Sequence, residues 1–160
     1  MLENNAAPPI ANDSDAEDIS LGVLRDIAGY HLRRASAAFA ADFSRAVEGT
    51  RIRQVLFGIL AVVDANPGIS QGPAGKMLGI QRANMVPLIN ELVDRDLIAR
   101  RVSQTDRRAF ELSITATGSA MLAECLAKIE THEASLMDDF TEQERQTLFD
   151  LLSRIDARAQ

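Results

Sequence analysis

Two short runs in this chain carry side chains able to address nucleic-acid bases and phosphates. Gln81-Arg82-Ala83-Asn84 sets two amides and a guanidinium side by side, and Asp106-Arg107-Arg108 sets a carboxylate against two guanidiniums. Amide side chains pair with adenine edges, and guanidiniums pair with guanine edges or phosphate oxygens. Arginine also enters a narrow minor groove, and a neighbouring acid can hold it in position. Ser70, Gln71 and Lys76 lie just upstream of the first run and join it as contact candidates. A charged hairpin tip is common on any antiparallel protein, so the second run carries weight only if the elements around it place it beside the first.

Those elements can be read from local patterns. Ser70 suits the N-cap of a short helix, where its hydroxyl can accept an exposed amide, and Pro73 then falls in the first turn, where a missing N–H costs little. Gly79 suits a left-handed residue ending that helix, with Ile80 plugging the turn into the core. A second helix is predicted from about Gln81 to Asp94, with Val86, Ile89 and Val93 inward and Leu92 beside them. Gln81, Arg82, Ala83, Asn84 and Met85 then lie at its start, the part from which such helices read bases. Pro87 interrupts this helix by removing a hydrogen bond to the Ala83 carbonyl, and it reads as a tolerated kink. Leu97–Val102 and Ala109–Thr115 follow as two strands; Phe110, Leu112 and Ile114 alternate with small or polar residues, and residues 103–108 form the tip. The order is helix, turn, helix, wing.

The flanks are helical. Residues 1–19, low in apolar content and acidic, are expected to form a disordered tail. One helix is predicted over Leu21–Val47, with Leu24, Ala28, Leu32, Ala35, Phe39 and Phe43 on one face, ending at Gly49. Another spans Arg51–Ala65, with Ile52, Leu56, Ile59, Leu60 and Val63 inward, and Asn66-Pro67-Gly68 breaks it. After the wing comes a long helix, Thr117 to about Asp138, carrying Leu122, Cys125, Leu126, Ile129 and Leu136 on one face. The last helix opens on a capping-box pattern, Thr141-Glu-Gln-Glu144, and is lined by Leu148, Leu151, Leu152 and Ile155.

From Ser20 onward the chain resembles the MarR family of winged-helix transcription regulators. The matching residues are Leu78-Gly79-Ile80, Leu88-Ile-Asn-Glu-Leu92, Asp96-Leu-Ile-Ala-Arg100, Asp106-Arg-Arg108, and Leu112-Ser-Ile-Thr115 closing at Gly118. The wing tip ahead of a Leu-x-Ile-Thr strand is the most specific of these. The Gly72-Pro73-Ala74-Gly75 run departs from the family's more helix-friendly composition. The resemblance implies a mainly α fold with a small β wing. Residues 51–115 would form the winged helix-turn-helix, and residues 20–50 and 116–160 a helical dimerisation region. It also implies a homodimer, in keeping with long apolar stripes that one winged helix alone covers only in part. The expected partner is a pseudo-palindromic operator in double-stranded DNA, and the expected role is repression.

Composition bounds these readings. The 160 residues suffice for one domain with a real core. The chain shows no apolar run of membrane length and no secretory start, so a cytoplasmic protein without membrane contact is expected. A single cysteine excludes an internal disulfide framework. The net charge of −6 argues superficially against nucleic acid, but residues 51–115 hold nine basic and six acidic side chains. Both flanks are net acidic, so positive potential collects in the central lobe.

No phosphate-binding glycine loop, nucleophile elbow or metal-spaced His/Cys set is present, so neither catalysis nor a cofactor is expected. His132 reads as an ordinary helix histidine. Tyr30, His31, Arg33 and Arg34 cluster on a helix that, by the resemblance, lines an effector pocket, with Phe57 as a further ring contact. An arginine beside a hydrogen-bonding ring suits an aromatic carboxylate or a phosphate-bearing thioester. The resemblance likewise implies phenolic effectors or their coenzyme A thioesters. A solvated helix face explains Arg33 and Arg34 equally well. Two rival readings stay open: a redox-sensing regulator using Cys125, and a winged-helix protein-interaction module that does not read DNA.

Overall fold

The computed structural model describes residues 19–102 and 110–158. The expected tail and the wing tip Asp106-Arg107-Arg108 lie outside the described residues, apart from Ile19. The chain divides into two units, residues 1–35 and 36–160, and helix α1, Ala28–Ala46, begins in the first and ends in the second. The further elements are α2 (Gln54–Ala65), α3 (Gln71–Met77), α4 (Arg82–Asp94), β1 (Ile98–Val102), β2 (Phe110–Ile114), α5 (Ala116–Leu136) and α6 (Glu142–Asp156). The mainly α architecture with a two-stranded wing is the one the sequence predicts. No helix among the described residues is long and apolar enough to cross a membrane.

In the first unit the predicted continuous helix from Leu21 is interrupted. A short 3-10 helix, Gly22–Asp26, precedes α1, and Ile27 between them is extended at φ −98° and ψ 105°. None of the 3-10 residues is buried. No packing therefore opposes the local preferences of Gly22 and the β-branched Ile27, which are poor helix formers.

Helix α2 begins three residues later than predicted, and the cause is visible. Arg51 sits at φ +58°, outside helical space. Thr50 Oγ1 donates to the Val47 carbonyl at 2.7 Å and accepts from the Ile52 amide at 3.1 Å. Arg95 Nη1 and Nη2 donate to the carbonyls of Arg51 and Thr50 at 2.8 and 3.0 Å. Carbonyls that a helix would have used internally are thus taken by a side chain at the end of α4.

The core of the second unit gathers Ile52, Leu56, Ile59, Leu60 and Val63 with Met85, Ile89 and Leu92 of α4, Leu97, Ile98, Leu112 and Cys125. Ile89 and Leu92 of α4 face inward as predicted, but Met85 takes the place expected for Val86. Met85, Ile89 and Leu92 are fully buried, whereas Val86 is 44% exposed and Val93 only half-buried. Both sets fit a helical period. The choice between them was made by the approach of α3, because a Cβ on Gly75 would come within 2.9 Å of Met85 Cγ and 3.0 Å of the Ile80 carbonyl oxygen. The glycine that looked unsuited to a helix is what lets α3 and α4 touch.

Strands β1 and β2 pair antiparallel, from Ile98 opposite Ile114 to Val102 opposite Phe110. A further segment joins them. The Gly68 amide donates to the Leu112 carbonyl at 2.9 Å, the Leu112 amide donates to the Ile69 carbonyl at 3.0 Å, and Ser70 bridges Glu111. The expected alternation in β2 holds for Leu112 and Ile114, but Phe110 is 49% exposed. Thr115 caps α5 by accepting from the Gly118 amide at 2.9 Å, and Thr141 and Glu144 form the predicted capping box of α6. On α5, Cys125 and Ile129 are buried and Leu126 is exposed. Helix α6 has no buried residue, so its apolar side chains Phe149, Leu151, Leu152 and Ile155 face outward.

One buried charge in the second unit is absent from the sequence expectations. Asp42 of α1 is 5% exposed; its Oδ1 accepts from Arg45 Nη2 at 3.0 Å and lies 3.2 Å from His132 Nδ1 on α5. His132 is therefore a partner of a buried carboxylate rather than an unengaged helix residue. Burial pushes the Asp42 carboxyl up, but His132 and Arg45 outweigh it and hold the group below its ordinary value.

Two outcomes are expected. Gly75→Ala should cost about 1–3 kcal/mol of stability by forcing α3 from α4, read in urea unfolding. A carboxyl whose folded pKa is depressed adds stability above its unfolded pKa and loses it as the pH falls through the folded one. The stability difference between wild type and Asp42→Asn should therefore be full at about pH 5 and shrink below about pH 4. Urea melts across that range check it, and a difference independent of pH would contradict it.

Candidate nucleic-acid interface

The interface is built on the pair α3–α4. Ser70 occupies the N-cap position of α3 at φ −87° and ψ 160°, but its side chain makes no capping bond. Its backbone belongs instead to the bridge with Glu111, which sets the conformation without help from the hydroxyl. Gln71 opens α3 half-buried, and Lys76 is exposed in its last turn. Gly79 turns the chain at φ +65°, where a Cβ would be strained, and the Ile80 amide reaches back to the Gly75 carbonyl at 2.8 Å. Gln81 is the N-cap of α4 at φ −62° and ψ 143°, so the next residue starts the helix as predicted.

Gln81, Arg82, Ala83 and Asn84 are all exposed. Among the described residues, neither Arg82 nor Lys76 is engaged in a salt bridge or side-chain hydrogen bond. A guanidinium left in solvent at the start of α4 and an ammonium in the last turn of α3 are available to phosphates and base edges. Met85, grouped with them in the sequence, points into the core and is removed from the contacting set.

The far half of α4 is held from three sides. Glu91 pairs with Arg53 at the entry to α2, and Arg95 is anchored on the Thr50 and Arg51 carbonyls. Asn90 Oδ1 accepts from Arg100 Nη2 of β1 at 2.7 Å. The same guanidinium lies 5.5 Å from the ring centroid of Phe110 on β2. Arg100 therefore links α4 to both strands of the wing. Sequence reasoning missed this role, although an arginine two residues into a strand, next to a wing, was a readable signal. The tip itself, Asp106-Arg107-Arg108, falls outside the described residues.

The second candidate cluster begins α1 in the first unit. Tyr30 is half-buried; His31, Arg33 and Arg34 are exposed. Tyr30 and His31 meet edge to face with centroids 5.5 Å apart, and the Arg33 guanidinium lies 5.5 Å from the Tyr30 ring centroid. His31 Nε2 donates to the Arg25 carbonyl at 2.8 Å, which fixes the ring. Phe57 belongs to the second unit, where it packs edge to face on Phe43 at 5.8 Å. Cys125 is buried, its Sγ 3.9 Å from Met121 Sδ. Burial pushes its thiol up, against a smaller opposing effect of a hydrogen bond with Thr50, so the nucleophilic thiolate is disfavoured.

Comparisons with known proteins follow this geometry. The family model described as MarR family matches residues 57–109. A putative transcriptional regulatory protein for the hcr operon of Thauera aromatica is 31% identical over 144 residues, spanning 89% of this chain and 87% of that protein. The solved structure of the transcriptional repressor CouR bound to a 23-mer DNA duplex superposes with a TM-score of 0.84 at 33% identity, over 88% of this chain and 99% of that one. CouR bound to p-coumaroyl-CoA superposes at 0.77 with 31% identity, over 87% and 98% of the two chains. With the helix-turn-helix, the wing and these matches in agreement, the chain belongs to the MarR family of winged-helix transcriptional regulators.

Proposed function

We propose that this chain is a homodimeric repressor that binds a pseudo-palindromic operator and is released by a small aromatic acid or its coenzyme A thioester. The observation that carries the DNA half is the exposed start of α4, Gln81, Arg82 and Asn84, where Arg82 has no ion pair among the described residues, on a helix whose other end is anchored. Ser70, Gln71 and Lys76 of the α3 region, and Asp106, Arg107 and Arg108 of the wing, complete the proposed contact set. A protein-interaction module has no need of unpaired cations on the reading helix and its neighbour, so that alternative is disfavoured. A redox sensor built on Cys125 is disfavoured by burial of the thiol.

Residues 20–50 and 116–160 are assigned to dimerisation. Support comes from apolar side chains left in solvent in each unit: Leu21, Val23, Leu24 and Ile27 in the first, and Phe149, Leu151, Leu152 and Ile155 in the second. A two-fold dimer would cover such faces and give the operator its symmetry. The effector half rests on Tyr30, His31, Arg33 and Arg34 of the first unit. A fixed histidine, an arginine over a phenol ring and a second exposed arginine suit a ring bearing an anionic or phosphorylated group. Support from a relative comes from CouR, solved both with a DNA duplex and with p-coumaroyl-CoA.

Arg82→Ala, Arg107→Ala and Arg108→Ala should each weaken binding to a selected duplex by about 1–3 kcal/mol, measured by fluorescence anisotropy, with the melting temperature preserved. Unchanged affinity in all three would remove both the helix start and the wing from the interface. For the effector, calorimetric titration of p-coumaroyl-CoA with and without the duplex should differ by a coupling of about 1–3 kcal/mol, because linkage is reciprocal. Equal affinities in the two titrations would mean that this thioester is not an inducer.

A further inference from the structure

The burial register of α4 fixes what the helix offers to a groove. With Met85, Ile89 and Leu92 inward, a 3.6-residue period puts Ala83, Pro87 and Asn90 on the opposite face. Val86 lies on its edge, one turn from both Ala83 and Asn90, and all four residues are exposed. Asn90 has its carbonyl oxygen held by Arg100. The outermost surface of the N-terminal half of the helix is therefore apolar: the Ala83 methyl, the 44%-exposed Val86 and the Pro87 ring. One exposed valine would mean nothing by itself. Two apolar side chains on the outward face of α4 and one at its edge adjoin to form a surface, and Val86 and Pro87 are stiff. They cannot fold away to let a longer polar group through.

The major groove offers one apolar group, the 5-methyl of thymine; the other base edges present donors and acceptors. We propose that Ala83, Val86 and Pro87 form a thymine-methyl recognition strip, with Val86 as its principal specificity determinant. The strip deepens the DNA-binding reading above and rests on it. Flanking Gln81, Arg82 and Asn84 supply the hydrogen bonds and phosphate contacts. Sequence preference at the strip comes from fitting a methyl group against carbon, so uracil is discriminated by the missing methyl alone.

The test uses the full chain and leaves it unaltered in its first arm. Duplexes are selected from a random-sequence pool, and each thymine of a half-site is replaced in turn by deoxyuridine, which removes only the methyl. At one or two thymines per half-site the substitution should lower affinity about fourfold, the factor expected for one buried methyl group. Val86→Ala should lower affinity for the thymine duplex by a similar factor and lose little more on the matching uracil duplex. Deoxyuridine that changes nothing at any thymine overturns the proposal, as does a Val86→Ala loss equal on both duplexes. A pool that yields no bound sequence overturns the DNA-binding reading itself, and the strip with it.

Discussion

The anchorage of α4 is the constraint on which the rest of the structure depends. Its buried face, Met85, Ile89 and Leu92, fills the centre of the core. Burying side chains of this size contributes about 1.5–3 kcal/mol each. The Arg53–Glu91 pair joins side chains that are 59% and 37% exposed, and an ion pair of that kind is worth at most about 1 kcal/mol. Packing therefore holds the helix, and the polar contacts choose its rotation and tilt. Arg95 is the strongest of those, because both its bonds end on backbone carbonyls at the corner between α1 and α2. A corner with Arg51 at φ +58° has few alternative conformations in which to keep those bonds.

The same anchorage explains why the wing has a defined position. Asn90 sits one helical turn before Asp94, the last residue of α4, and Arg100 ties it to β1 while facing Phe110 on β2. A planar guanidinium can donate along its edge and stack on its face at the same time, which a lysine cannot do. The link between helix and wing is thus a side chain with one preferred geometry rather than a flexible tether. The backbone bonds from Gly68 and Ile69 to Leu112 brace β2 from the other side. The start of α4 and the two wing strands are thereby tied into the same part of the second unit.

Much of this was legible from the residues. The turn at Gly79, the start of α4 after Gln81, the strand pairing and the Thr141–Glu144 capping box follow from local chemistry, and local chemistry decides them. The register of α4 was not legible, because Val86-Ile89-Val93 and Met85-Ile89-Leu92 are both helical stripes. Tertiary packing separates them, including the close approach of α3 to Met85 at Gly75. The break at Ile27 and the late start of α2 have the same character. One arises where no core holds a helix together, the other where Arg95 captures carbonyls 44 and 45 residues away. Asp42 was invisible for a further reason: its partner His132 is 90 residues distant, and a lone acid in an amphipathic helix reads as surface.

Charge and register together shape how a groove would be read. The chain carries −6 overall, with its positive excess confined to residues 51–115. Affinity drawn from phosphates scales with the number neutralised, and it does not distinguish one sequence from another. Phosphate contacts by the cations of α3, α4 and the wing would position the chain on a duplex without choosing a sequence. Selectivity must then come from base contacts, and the α4 register leaves apolar side chains outermost with hydrogen-bonding ones at the flank. Turning the helix by the one residue that separates the two stripes would bury Val86 and expose Met85, a long flexible side chain with several rotamers. Gly75, by admitting α3 close to Met85, favours the register in which the stiff Val86 stays outward.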